Sequence, residues 1–507
     1  MTKTSRAFVL LLSFVLLISL FPVPRGYAQE MAQEISDPGL ITDHKGFYKI
    51  HALFDADTIN MINAGKNASL TLEHEAGIVS VYLIFDLEHG EFTVTNNDSG
   101  ETRTFGENNF LHTFLDIEAA FGAAAKSLTI DFGENDALVN ELRVFTSGQV
   151  PQTVQRWDMP EENEMDLLLF STHGDDEQLF FAGILPYYGT ELGYEVLVVY
   201  MTNHRNHTKV RVHEMLDGLW AIGMTNYPVI GTYPDYFART LKDAYSMLKL
   251  KDVTEEDLTA FVVENLRRYK PKVAVGHDPL GEYSHGQHMV YSDVLQKAVH
   301  KSMNPEEFPE SAEKYGVWDV PKTYLHLYPE NQIYMDWDQP LESFGGMTAF
   351  EVSKNIGFQC YKSQISDFSW YLSQGKTAAE LRKYCPCEYG LFRSTVGDDV
   401  QKNDFFENLT THEQDRLAAE EAVRLEEERK AKEEAQKQAE AEAATARLEA
   451  QQKQQEQQKL QEQKAAEEAA AQKTRGVVLA VIGAAVLVVL VIIAVLCLGK
   501  KQYRGKY

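Results

Sequence analysis

The stretch MDLLLFSTHGDDEQLFFAG, Met165–Gly183, decides the fold. Its first six residues form an apolar run of strand length, Ser171–Gly174 form a small turn, and a helix is expected to begin near Asp175. The same grammar recurs downstream in YEVLVVYMT, PKVAVGHD and KTYLHLY, which read as buried parallel strands alternating with helical patterns such as DVTEEDLTAFVVENLRRYKP. In that helix Thr254 is the expected N-cap with Asp257 three residues on, and Pro271 follows its end. Residues 160–407 are therefore expected to form an α/β domain, a Rossmann-like and mostly parallel sheet with flanking helices. Ligands of such sheets collect beyond the carboxyl ends of the strands, where the residues after Phe170 stand.

One histidine and three carboxylates crowd that strand end. Acidic residues favour a helix N-terminus through the macrodipole, and this is one role for Asp175, Asp176 and Glu177. The other role is chemical. His173 and Asp176 are spaced so that both can aim at one ion, leaving Asp175 beside it as a carboxylate that is not a ligand and can act as general base. A catalytic zinc site takes three protein ligands and one open position. The third comes from GHDPLGEYSHGQHMVYSDVLQKAVH, again beyond a strand end, where His285 and His288 share a face if a helix starts there. His173, Asp176 and His288 make the ligand set, with His285 beside it to polarise a carbonyl. His204, His207 and His213 are read as loop or helix-surface residues.

These two clusters resemble the PIG-L or LmbE-like family of zinc-dependent N-acetylglucosamine deacetylases. The family's first motif, His-Pro-Asp-Asp-Glu after a strand, stands here as His173-Gly174-Asp175-Asp176-Glu177, and its second, His-x-x-His, as His285 to His288. The resemblance implies His173, Asp176 and His288 as zinc ligands, Asp175 as general base and His285 as the residue on the oxyanion side. It also implies sugar contacts from Arg211 and Glu214 in TKVRVHEMLDGLWAIG and from Asp235 in TYPDYF. Gly174 departs from the family's proline. Glycine loosens the turn without removing a ligand. The expected activity is zinc-dependent removal of the N-acetyl group from an N-acetylglucosamine-type sugar or glycoconjugate. The alternative is a catalytically inactive glycan-binding or adhesive surface protein on the same scaffold.

The rest of the 507-residue chain frames this domain. Residues 38–148 alternate as short strands, ASLTLEHE, VSVYLIFDL, EFTVTN, KSLTIDFG and NELRVFT, and predict an antiparallel β-sandwich. Its closing strands resemble the discoidin-like jelly rolls that accompany carbohydrate enzymes, which implies a carbohydrate-binding module; a spacer without ligand is the alternative. Residues 411–474, rich in Glu, Gln, Lys and Ala and without Gly or Pro, predict a charged helical stalk opened by a capping box of Thr411 and Gln414, with disordered spacer as the alternative. Residues 1–28 have the basic start, apolar run and small-residue end of a signal peptide. The uncharged run 477–498 would reach roughly 33 Å as a transmembrane helix, and the basic tail 499–507 is expected in the cytoplasm, with the upstream domains outside the cell. A net charge of -27 argues against a nucleic-acid partner and leaves an N-acetylated glycan or glycolipid and the membrane as the expected ones. Cys360, Cys385 and Cys387 are too few for a disulfide scaffold, although Cys360 could pair with either of the others.

Overall fold

The computed structural model describes residues 30–203 and 209–483. The signal-peptide segment 1–28, His204, His207, most of the apolar run 477–498 and the tail 499–507 lie outside the described residues. Among the described residues no helix is long and apolar enough to cross a membrane.

The α/β domain is built on seven strands: β1 (Leu167–Ser171), β2 (Val196–Thr202), β3 (Val229–Tyr233), β4 (Val273–Gly276), β5 (Lys322–His326), β6 (Gln332–Tyr334) and β7 (Glu388–Ser394). They lie in the order β3-β2-β1-β4-β5-β7-β6. The first five are parallel, and β7 runs antiparallel to both β5 and β6. The apolar runs form strands because both faces are covered. Leu167, Leu169, Val196 and Val198 enter one core while Leu168, Phe170, Leu197 and Val199 enter the other, as a side-chain period of two requires.

Four helical elements bear on the site: α1 (Asp176–Leu179), α2 (Arg211–Ala221), α3 (Glu255–Tyr269) and α4 (Gly286–Lys301). Helix α2 packs Val212, Met215, Leu216 and Leu219 into the first core, and α3 and α4 pack into the second. The Thr254–Asp257 capping box is present at the start of α3, as its sequence predicts. The helix expected from Asp175 is only one turn long. Gly183, four residues past its end, takes φ 97° at a place where a Cβ would stand 2.5 Å from Trp337, so only glycine fits there.

Strand β1 is central, with β2 on one side and β4 on the other. The connections after β1 and β4 therefore diverge to opposite faces, and a crevice opens between them at their carboxyl ends. Both histidine motifs leave the sheet there.

The N-terminal sandwich consists of two antiparallel sheets. One orders Ile41–Lys45, Ser69–Ile78, Ala125–Asp131, Phe92–Asn96 and Glu101–Phe105; the other orders Ile62–Gly65, Ala137–Phe145, Ser80–Phe85 and His112–Asp116. Their inward residues share one apolar core. The sandwich also reaches into the α/β core: Phe110 stacks on Tyr227 at 4.4 Å, and His112 Nε2 lies 3.0 Å from His213 Nδ1. His213, expected on a surface, is thus buried at this junction.

The chain up to Gln414 forms one compact unit and the chain from Asp415 a second. Helix His412–Gly483 opens with the expected box: the Gln414 amide donates to Thr411 Oγ1 and the Thr411 amide to Gln414 Oε1, each at 3.1 Å. Cys360, Cys385 and Cys387 are free thiols, so neither anticipated pairing is present.

Candidate metal centre and active site

Strand β1 delivers His173 two residues past its end, and α1 begins at Asp176. Asp176 Oδ2 accepts the His173 amide at 2.9 Å and lies 3.1 Å from the Nδ1 of the same histidine. From the other side of the crevice, His288 in the first turn of α4 brings its Nε2 to 3.1 Å from His173 Nδ1 and 3.3 Å from Asp176 Oδ2. Three donor atoms so close form the face of a coordination shell. A tetrahedral zinc with ligand bonds of about 2.0–2.1 Å sets its donors roughly 3.3 Å apart, and the triangle is within a few tenths of an ångström of that.

Donor chemistry supports the same fit. All three side chains are buried, and Asp176 Oδ1 has no hydrogen-bond partner among the described residues. Burial opposes charge on both histidines, yet Asp235 and Asp176 hold His173 up at about 10, while Asp176 and Glu282 hold His288 up at about 9. Asp176 itself is held well below the usual carboxylate range by His288 and His173, despite its burial. The cluster demands positive charge at its centre, which a divalent cation supplies.

Among the described residues two other triads bring donor atoms within 4.8 Å: His173, His285 and His288, and Asp176, His277 and His288. Hydrogen bonding removes His277 and His285 from the ligand set. His277 Nε2 accepts the Thr172 amide at 2.9 Å, so its lone pair is occupied. His285 Nδ1 accepts the Gln287 amide at 3.3 Å, which leaves the proton on Nε2, a donor rather than a ligand.

Asp175 and His285 flank the donor triangle. Asp175 adopts φ 143°, a strained conformation for a residue with a side chain, and this sets its carboxylate apart from that of Asp176. Its Oδ2 accepts from Arg211 Nη1 at 3.0 Å, and the same nitrogen donates to the Gly174 carbonyl at 3.0 Å. Burial pushes Asp175 up to about 7 although Arg211 pulls it down, a value suited to a base at neutral pH. Burial and the neighbouring His288 and His173 push His285 down to about 2, so its imidazole is neutral. Its ring stacks on His288 at 4.7 Å and meets exposed Phe237 edge-on at 5.1 Å.

Residues 168–299 match the family model described as "PIG-L: GlcNAc-PI de-N-acetylase". The match spans both histidine motifs of the crevice. Relatives include 1D-myo-inositol 2-acetamido-2-deoxy-alpha-D-glucopyranoside deacetylase 1 of Catenulispora acidiphila, 24% identical over 38% of this chain and 64% of the relative. Deacetylase 2 of the same description from Saccharopolyspora erythraea is 36% identical over 22% of this chain and 44% of the relative. The chain thus spans less than two thirds of the length of either. Among solved structures, N,N'-diacetylchitobiose deacetylase from Pyrococcus horikoshii is similar, with 14% identity, 45% of this chain and 83% of that chain covered, and a TM-score of 0.29.

The structure places the remaining expected residues as follows. Arg211, the first residue of α2, spends one guanidinium nitrogen on the Asp175 carboxylate. Asp235 Oδ1 lies 3.3 Å from His173 Nε2, on the far side of the ring from the donor triangle. Both carboxylate oxygens of Glu214 are engaged by Ser363, at 2.9 and 2.5 Å, which ties α2 to the segment around Ser363. Gly174 lies against Met215, whose atoms a Cβ would meet at 3.1 Å, so the residue in the family's proline position is small where α2 approaches.

Sequence reasoning missed several partners. Glu177 is fully buried rather than a solvated first-turn acid: it accepts the Asp175 amide at 2.9 Å and the Tyr361 hydroxyl at 2.5 Å, and burial pushes it up to about 8. Gln287 holds the loop that carries Asp235, donating to the Pro234 carbonyl at 2.7 Å and accepting the Tyr236 amide at 2.9 Å. Glu282 gathers three histidines. Its place inside GHDPLGEYSHGQH was the one available signal.

Proposed function

We propose that the chain is a zinc-dependent hydrolase that removes the N-acetyl group from an N-acetylglucosamine-type sugar or glycoconjugate. The carrying observation is the triangle of His173 Nδ1, Asp176 Oδ2 and His288 Nε2, with edges of 3.1 to 3.3 Å and one carboxylate outside it. The PIG-L match and the names of the relatives support the choice of an acetamido sugar.

His173, Asp176 and His288 would hold the metal. Bound zinc supplies Lewis acidity and brings the pKa of a coordinated water to about 7. Asp175 takes the proton of the attacking water as its oxygen bonds to the acetamide carbon. It then returns that proton to the sugar nitrogen as the C–N bond breaks, leaving acetate and a free amine. Arg211 fixes the Asp175 carboxylate through the 3.0 Å contact to Oδ2. His285 offers Nε2–H to the amide oxygen as it gains negative charge, a donation typically worth about 3 kcal/mol. Arg211 and Asp235 at the crevice are the proposed sugar contacts. Export through 1–28, anchoring through 477–498, an extracellular catalytic domain and a glycan-holding sandwich over 38–148 belong to the same reading and rest on sequence pattern.

Acetate release from a panel of N-acetylated glycans, with and without a chelator, tests the reading. Release from one or more acetamido sugars that stops on chelation and returns with zinc is the expected result. No release from any member, by a protein that binds those glycans, would favour the inactive adhesive alternative.

A further inference from the structure

Beyond the donor triangle lies a second polar cluster, and all four of its side chains are fully buried: Glu282, His277, His288 and His326. Glu282 Oε2 stands 2.7 Å from His288 Nδ1 and 2.9 Å from His277 Nδ1. Its Oε1 stands 2.6 Å from His326 Nδ1 and accepts the Asp278 amide at 3.3 Å. A carboxylate only accepts, so each facing Nδ1 carries a proton. For His288 this leaves Nε2, which faces the triangle, as the nitrogen that would give its lone pair to a metal. For His277 the free lone pair is on Nε2, which accepts the amide of Thr172, the residue before His173. For His326 the other nitrogen faces a second acceptor, the Cys385 carbonyl at 2.9 Å, so both nitrogens are protonated and the ring is a cation paired with Glu282. The backbone is bent to place this group inward: Tyr283 and Ser284, just after Glu282, take φ 44° and 60°.

We propose that Glu282 is the positioning carboxylate of the metal centre, orienting both ligand loops at once. It acts on His288 directly and on the His173 loop through His277 and Thr172, with the His326 imidazolium balancing its charge. This proposal rests on the metal reading above. Glutamine has the same shape but one acceptor oxygen, so its NH2 must face N–H donors that the carboxylate accepted. Carboxylate partners of metal-bound histidine typically contribute about 10- to 100-fold in metal affinity.

The test measures zinc affinity of the full chain by competition with a chelator for wild type and Glu282→Gln, together with 15N shifts of labelled histidine in the zinc-loaded wild type. A wild type that binds no zinc removes the metal reading itself. If the wild type binds zinc, the expected result is a 10- to 100-fold weaker Glu282→Gln, with His288 protonated on Nδ1 and His326 on both nitrogens. Unchanged affinity in a folded Glu282→Gln overturns the proposal. Should that variant not fold, the wild-type spectrum decides: a proton on His288 Nε2, or a neutral His326, overturns it equally.

Discussion

Glu177 shows how far burial changes the meaning of a side chain. As an exposed first-turn acid it would add roughly 0.3–1 kcal/mol through the helix dipole. In the fold it satisfies the Asp175 amide and the Tyr361 hydroxyl inside the protein. Glu177→Ala leaves two buried donors without an acceptor, at about 1–3 kcal/mol each. A thermal or denaturant unfolding measurement should therefore show a loss well above 1 kcal/mol, and turnover should fall because the Asp175 backbone is released; a loss within the dipole range would return Glu177 to a capping role. His173, Asp175 and Asp176 were legible because they directly follow the end of β1, and His285 and His288 because they stand three apart where a helix begins. Glu282, His277 and His326 were not, since their roles depend on β4 and β5 lying side by side and on the turn after Gly281 pointing a carboxylate inward. Local pattern reveals which groups are present, and packing decides which of them face one another.

Among the elements, the apolar runs were sufficient to place β1, β2, β4 and β5, because strands covered on both faces need no alternation. The short α1 was not foreseeable from local pattern, since the space around Gly183 just beyond it is set by Trp337, more than 150 residues away. The capping boxes were legible, because their signal is local. In α3, Thr254→Ala should cost about 0.5–2 kcal/mol by removing the acceptor of the Asp257 amide. Equilibrium unfolding of the full chain measures it, and no change in midpoint would mean that the cap is redundant. The helix from His412 stands apart in this respect: Leu417, Val423, Leu425 and Leu448 are exposed along it, so its stability comes from strong helix formers and side-chain pairs such as Arg429 with Glu426. A peptide of residues 411–474 should give a strongly helical circular dichroism spectrum; a coil spectrum at room temperature would assign the segment to disordered spacer.

Within the compact unit that ends at Gln414, sandwich and α/β domain share core. Phe110 and Leu111 of the sandwich lie in the same apolar cluster as β1 and α2, and the Leu111 amide donates to the Tyr227 hydroxyl at 3.1 Å. Calorimetry of residues 30–414 should accordingly show one cooperative transition, and Phe110→Ala should lower it by about 3–5 kcal/mol of stability, the usual cost of truncating a buried phenylalanine. Two resolved transitions in the wild type would mean that the domains fold independently. The shared core carries the His213 end of α2, and α2 carries Arg211, so the sandwich helps to fix the helix that holds Asp175. The most direct measurement of the division of labour at the centre takes Asp175→Asn and Asp176→Asn in the full chain and reads zinc content and acetate release side by side. Asp175→Asn should retain zinc and lose about 10²- to 10⁴-fold in turnover, because an amide cannot take the proton from water, whereas Asp176→Asn should lose the zinc itself. Retention of both zinc and wild-type activity by the two variants would contradict the account and reduce these acids to helix-capping charges.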